Sequence, residues 1–296
     1  MFFSSSVGDL YYELFINPRP FPEIPINIIA IAGLASTLVF WKDILFERLN
    51  LNCNILCFDN LNVGRSSVIS KFFSTSTETY AQSILELLDF LEWNSNIAVV
   101  SHSLGGMIAM RMAYMDLINN PCPLSRFSHL VLCCTRSNFS LPPLSFVGKS
   151  LLYSIKFGPA TARQILRYGD HTTFWSSPCS YDPSLTNAEY YAKRDAMIKE
   201  ECPQKFTALL AQTHAAVFHR MTDEEMKVLK ESSSRYLVIA PSQDFYVSVA
   251  SSDLLASQLG CDKIEIHGGH CCIEEKADDF NALLVDFLGF VLNKCE

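Results

Sequence analysis

Short apolar runs alternate with longer stretches of helical periodicity, and that alternation most narrows what this chain can fold into. Residues 26–32 (INIIAIA) and 53–58 (CNILCF) read as buried strands, with a helix predicted over 40–49 between them. A helical stripe follows over 77–93, carried by Ile84, Leu85, Leu87, Leu88 and Leu91. A third strand begins at Ile97, a helix comes directly behind it, and 130–134 (LVLCC) reads as a fourth strand. Apolar strands separated by helices point to a parallel sheet covered on both faces.

From about residue 138 to 233 the alternation stops. Helices are expected over 144–157, 160–168, 187–200 and 205–220. A last one opens at Thr222-Asp223-Glu224-Glu225, which has the S/T-x-x-E form of a capping box. Strand character returns at 236–240 (YLVIA) and 263–267 (KIEIH), and 280–292 reads as a closing helix. The fold class expected is therefore α/β, with the core in two parts, 1–137 and 234–296, interrupted by a helical insertion over 138–233.

Composition excludes several roles. With 296 residues, 49% of them hydrophobic, the chain can bury a large core, and a charged fraction of 18% is not that of a disordered protein. A net charge of -8 without a basic run argues against a nucleic-acid partner. No apolar stretch reaches the roughly 18 residues of a membrane span, and the first residues lack the basic and apolar regions of a secretory leader. Eleven cysteines form no CxxC pair, and most sit inside apolar runs, as at Cys133-Cys134, where a reduced thiol packs as a small hydrophobe. A soluble protein of the reducing cytoplasm is expected.

The stretch 97–113 (IAVVSHSLGGMIAMRMA) changes from strand to helix within four residues. A serine hydroxyl is a weak nucleophile unless it is exposed, tightly held and beside a base. A sharp strand-to-helix turn supplies that placement, lifting Ser103 above the carboxyl edge of the sheet. Such a turn requires small residues two before and two after, here Ser101 and Gly105, and the N–H groups opening the helix favour negative charge. Gly105, Ala109 and Ala113 recur every fourth residue and let the helix lie close to the sheet.

This arrangement resembles the nucleophile elbow of the α/β-hydrolase family, G-x-S-x-G, with Ser101 in place of the first glycine. The family's triad follows in the order Ser, acid, His. Pro241-Ser242-Gln243-Asp244 resembles its G-x-x-D acid loop with Pro for Gly, and Gly269-His270 is similar to its histidine turn. Glu275 and Asp279-Phe280 resemble the acidic stretch leading into the last helix. Ala32-Gly33-Leu34 occupies the H-G-x position, with Ala32 for His, and 58–66 resembles the D-x-R-G-x-G-x-S loop with two positions changed. The resemblance implies a Ser103–His270–Asp244 triad, an oxyanion hole from the Leu34 and Leu104 backbone N–H groups, and the insertion as a cap. It also implies hydrolysis of an ester-like bond in a small or medium apolar or lipid-like acyl substrate, without metal or cofactor.

Plainer readings stand beside these. Ser103 is also a common helix-start residue and Asp244 a turn former. His267 rivals His270, but it closes a strand while His270 follows two glycines. His102 reads as a packing or supporting residue, and Asp59 as a structural loop residue. The run 267–272 (HGGHCC) has metal-ligand types but no partner cluster elsewhere. The apolar face of 144–157 would cover the site mouth or, alternatively, touch a membrane, and Phe174-Trp175 and Tyr190-Tyr191 would line a pocket or pack in a core. The rival functions are a ligand-binding or receptor protein on the same fold and a membrane-associated lipid hydrolase.

Overall fold

The computed structural model describes residues 1–16, 26–46, 53–69, 75–120, 125–138, 152, 155–156, 167–168, 171–202 and 205–289. Two short strands open the chain, β1 (Phe2–Ser4) and β2 (Asp9–Phe15). β3 (Ile26–Ile31), β4 (Cys53–Phe58), β5 (Ile97–His102), β6 (Phe127–Cys133), β7 (Arg235–Pro241) and β8 (Asp262–Ile266) follow. They form one eight-stranded sheet in the order β1-β2-β4-β3-β5-β6-β7-β8. β1 and β2 pair antiparallel with each other, and β2 with β4; every other pairing is parallel.

Alternation along the strands builds a core on each face. Ile29, Ile31 and Val99 face one cluster, whereas Ile28, Ala30, Ala98 and Val100 face the other. Each fully buried valine or isoleucine among them contributes about 1.5–3 kcal/mol. The first face is covered by α2 (Thr77–Phe90) and α3 (Leu104–Asn119). The second is covered by α1 (Val39–Trp41), continued by a π-helical turn at Lys42–Phe46. Ser76 caps α2 by accepting from Thr79 N–H.

Four helices are described in the segment between β6 and β7: α4 (His171–Ser176), α5 (Asn187–Glu201), α6 (Phe206–Val217) and α7 (Asp223–Lys230). Capping boxes start α5 at Thr186 and α7 at Thr222. Met226 and Leu229 of α7 join the first core cluster. The helices expected over 144–157 and 160–168 fall almost wholly outside the described residues. α8 (Val249–Leu259), the short α9 (Cys272–Glu275) and α10 (Ala277–Phe287) complete the chain. Among the described residues no helix is long and apolar enough to cross a membrane. The described cysteines are free thiols, most of them buried.

The first half of the sheet reverses its order between β3 and β5, since β4 lies to one side of β3 and β5 to the other. In open α/β sheets such a switch point leaves a crevice at the carboxyl ends of the strands. Gly33, Ser103, Asp244 and His270 all lie in the turns just after β3, β5, β7 and β8.

Candidate active site

β5 ends at His102 and α3 begins at Leu104, so Ser103 alone makes the turn. Its backbone sits at φ 55° and ψ -118°, and such conformations cost a non-glycine residue about 1–3 kcal/mol. The surroundings hold it there. Ser103 N–H donates to Cys133 O at 2.9 Å, and Ser103 O accepts from Gly106 N at 3.0 Å and Thr135 Oγ1 at 2.8 Å. A Cβ on Gly105 would lie 2.1 Å from Ile31 O. Ser101 is fully buried, and its hydroxyl donates across the sheet to Val131 O at 2.8 Å, so serine here satisfies its own polar group.

Ser103 Oγ lies 2.9 Å from His270 Nε2, and His270 Nδ1 lies 2.8 Å from Asp244 Oδ2. The Asp244 side chain is 0% exposed; its Oδ1 accepts from Tyr246 N at 2.7 Å and Val247 N at 3.1 Å. The carboxylate is thus compensated from both sides. The His270 ring lies between two others, His102 at 4.9 Å and Tyr246 at 4.8 Å between centroids. Its backbone is fixed too. His102 Nε2 bonds His270 O at 2.8 Å, Gly269 N donates to Glu275 Oε1 at 2.7 Å, and Cys271 N donates to Arg167 O at 2.9 Å.

Because its partner is a carbonyl oxygen, His102 Nε2 is the protonated nitrogen. Burial, reinforced by the neighbouring His270, pushes the His102 pKa down to about 3. It stays neutral and serves as a supporting residue.

The turn after β3 lies directly against Ser103. A Cβ on Gly33 would be 3.1 Å from Ser103 Cβ, and Ser36 N–H closes the turn onto Gly33 O at 3.3 Å. Gly33 thus packs against Ser103, with Leu34 the next residue of that turn, and Leu104 follows Ser103 directly in the chain. Asn60 Nδ2 donates to Ala32 O at 2.9 Å, tying this turn to the loop after β4. Asp59 organises that loop. Its two oxygens accept from Leu38 N at 2.7 Å and Arg65 N at 2.9 Å, and a Cβ on Gly64, at φ 61°, would lie 2.1 Å from its Oδ2.

His267 is not part of this group; it is exposed, and its Nδ1 lies 3.2 Å from Ser242 Oγ. The metal-type run is thereby split. A different set, His102, Cys134 and His270, brings ligand-type atoms within 4.8 Å of one another. Both His270 nitrogens are engaged by Ser103 and Asp244, and burial holds the Cys134 thiol well above its usual range.

The insertion is bonded to this end of the core. Arg194 of α5 bridges Asp43 Oδ2 at 3.0 Å and Glu274 Oε1 at 2.9 Å, while Tyr168 OH donates to Glu274 Oε2 at 2.8 Å. Phe174, Trp175 and Tyr191 pack with Tyr168, and Arg194 sits 4.3 Å over the Tyr191 ring. A cavity lined by Phe174, Asn187, His267 and Glu274 lies beside the His270 loop, and Ser103 is not in its wall. Tyr246, Gln212 and Arg194 escape the sequence reading: a lone polar residue on a helix or loop carries no period or spacing that marks it.

Comparison with known proteins follows this geometry. A family model described as alpha/beta hydrolase family matches residues 28–283. No curated protein matches the chain by sequence. Among solved structures, an enol-lactonase from Burkholderia xenovorans is similar at 19% identity and TM-score 0.70, over 98% of this chain and 100% of that one. A thermophilic esterase from Thermogutta terrifontis is similar at 17% identity and TM-score 0.70, over 98% and 97%. An esterase from Exiguobacterium antarcticum is similar at 13% identity and TM-score 0.72, over 97% and 98%.

Proposed function

The chain belongs to the α/β-hydrolase family, and on that footing we propose that it is a cytoplasmic serine hydrolase cleaving an ester-like bond in a small or medium apolar substrate. The observation that carries this reading is the unbroken chain from Ser103 Oγ through His270 to Asp244, at 2.9 and 2.8 Å. The similar structures include an enol-lactonase and two esterases, which supports an acyl–oxygen bond.

His270 Nε2 takes the Ser103 proton as Oγ attacks the acyl carbon, then gives it to the leaving oxygen as the carbonyl re-forms. Asp244 keeps Nδ1 protonated and stabilises the imidazolium. The Leu34 and Leu104 N–H groups hold the oxyanion, a contribution of about 100- to 1000-fold per donor. Water, deprotonated by His270, attacks the acyl-enzyme and releases the acid. The segment 138–233 acts as a cap that shapes the acyl pocket.

The test is labelling of the purified protein by a fluorophosphonate, with Ser103→Ala alongside. Labelling of the wild type that vanishes in the variant is the expected result. A folded wild type that takes up no label would sink the hydrolase reading in favour of a binding protein on this fold.

A further inference from the structure

One side chain from the insertion reaches the turn beside Ser103. Gln212 of α6 is 0% exposed. Its Oε1 accepts from Ala35 N–H at 2.8 Å, and its Nε2 donates to Leu61 O at 3.2 Å. A donor on one side and a carbonyl on the other leave one orientation of the amide, so the bonds themselves assign its oxygen and nitrogen.

The turn it holds is one that alanine resists. Residues 33–36 close through Ser36 N–H to Gly33 O, and Ala35, the third residue, sits at φ 58°. A positive φ at that position is glycine's place in a turn of the type II form. Left to itself, the turn relaxes by rotating the Leu34–Ala35 peptide until Ala35 reaches negative φ. That rotation withdraws the Ala35 N–H from Gln212 and swings the Leu34 carbonyl towards Oε1, setting two acceptors against each other. Gln212 therefore opposes the relaxation; the Leu34 N–H belongs to the preceding peptide, and Gln212 restrains it by fixing the carbonyl side of the same residue. Its other end is anchored on the loop that also bonds Ala32 O through Asn60.

We infer that Gln212 is a positioning residue for the oxyanion hole, supplied by the insertion rather than by the sheet. The inference rests on the reading of Ser103 as nucleophile and of the Leu34 N–H as an oxyanion donor. It means that binding of a tetrahedral anion depends on Gln212, whereas binding of an uncharged ligand in the same pocket does not.

The experiment compares wild type with Gln212→Met, which keeps the length and loses both bonds, and Gln212→Asn, which draws the amide back by one methylene. Thermal unfolding first establishes which variants are folded. Three readouts follow: the rate of fluorophosphonate labelling, inhibition of that labelling by an alkyl trifluoromethyl ketone, and inhibition by the matching trifluoromethyl carbinol. The ketone forms a hemiketal oxyanion on Ser103; the carbinol fills the same space without one. In either folded variant, labelling and ketone affinity fall by about 10- to 100-fold, less than outright loss of a donor, while carbinol affinity stays within about twofold. A folded variant with wild-type ketone affinity, or one that weakens ketone and carbinol alike, overturns the inference while leaving the labelled wild type as a serine hydrolase. Absence of labelling in the wild type overturns both.

Discussion

Gly105 shows how little freedom the Ser103 turn has. A methyl group there would meet Ile31 O at 2.1 Å, and the nearest atoms are all backbone of Ile31 and Ala32, with no flexible side chain to yield. Gly105→Ala is expected to cost about 3 kcal/mol and to slow fluorophosphonate labelling; an unchanged urea midpoint would refute this. Histidines set the acid limit. Burial pushes both His102 and His219 down to about 3, against about 6.5 in the unfolded chain. Between those values the unfolded state binds more protons than the folded one, so stability is complete above pH 6.5 and is lost as pH falls. The loss approaches about 1.4 kcal/mol per pH unit for each histidine. Urea midpoints between pH 7.5 and 5 should fall accordingly, and His219→Gln, replacing a ring that meets Thr77 Oγ1, should remove about one proton's worth of that slope. An identical slope in the variant would contradict the assignment.

At the level of elements, the α5 contact with the core is the buried group most exposed to a single substitution. Arg194 stands between Asp43 and Glu274, whose side chains are 12% and 2% exposed. Arg194→Met leaves two buried carboxylates without a countercharge and should cost about 3–5 kcal/mol. Pairing it with Asp43→Asn and Glu274→Gln should recover most of that loss in urea denaturation. Additive losses in the triple variant would refute a coupled Arg194–Asp43–Glu274 group. Elements marked by local signals were the most legible in sequence. β4 begins and ends where expected, and α5 and the Thr222 cap agree within a residue, because continuous apolar runs and capping residues are local signals. Other elements were not legible. β1 and β2 escaped notice because they are short and half-exposed at a sheet edge. α8 buries only a short stripe, Leu255, Ala256 and Leu259, and Ser248 at its start and Gly260 at φ 66° at its end are its other marks. The helix expected over 40–49 gives way to a π-turn at Lys42–Phe46, where Asn281 Nδ2 donates to Ile44 O at 2.9 Å and so competes with the helical ladder. That partner lies far along the chain, where no local pattern reveals it.

For the molecule as a whole, the candidate site is assembled from distant parts of the chain at one edge of one sheet. Ser103, Asp244 and His270 could be read because each stands in a turn right after an apolar strand, a coincidence of local pattern and global topology. Tyr246, whose ring lies against His270, and Gln212, which holds the turn after β3, could not be read, because both depend on how separate segments meet. The bonds of Gln212 and Arg194 also bear on how such a molecule can be recombined. The described helices between β6 and β7 are not a module to be cut out and traded for a relative's. Grafted onto another sheet, they would arrive carrying a buried guanidinium in search of two acids and an amide cut to fit one particular turn. A recipient lacking those counterparts would inherit the shape of the insertion together with its unmet polar groups. Exchange between relatives should therefore succeed only when the turn over 33–36, Asp43 and Glu274 travel with it.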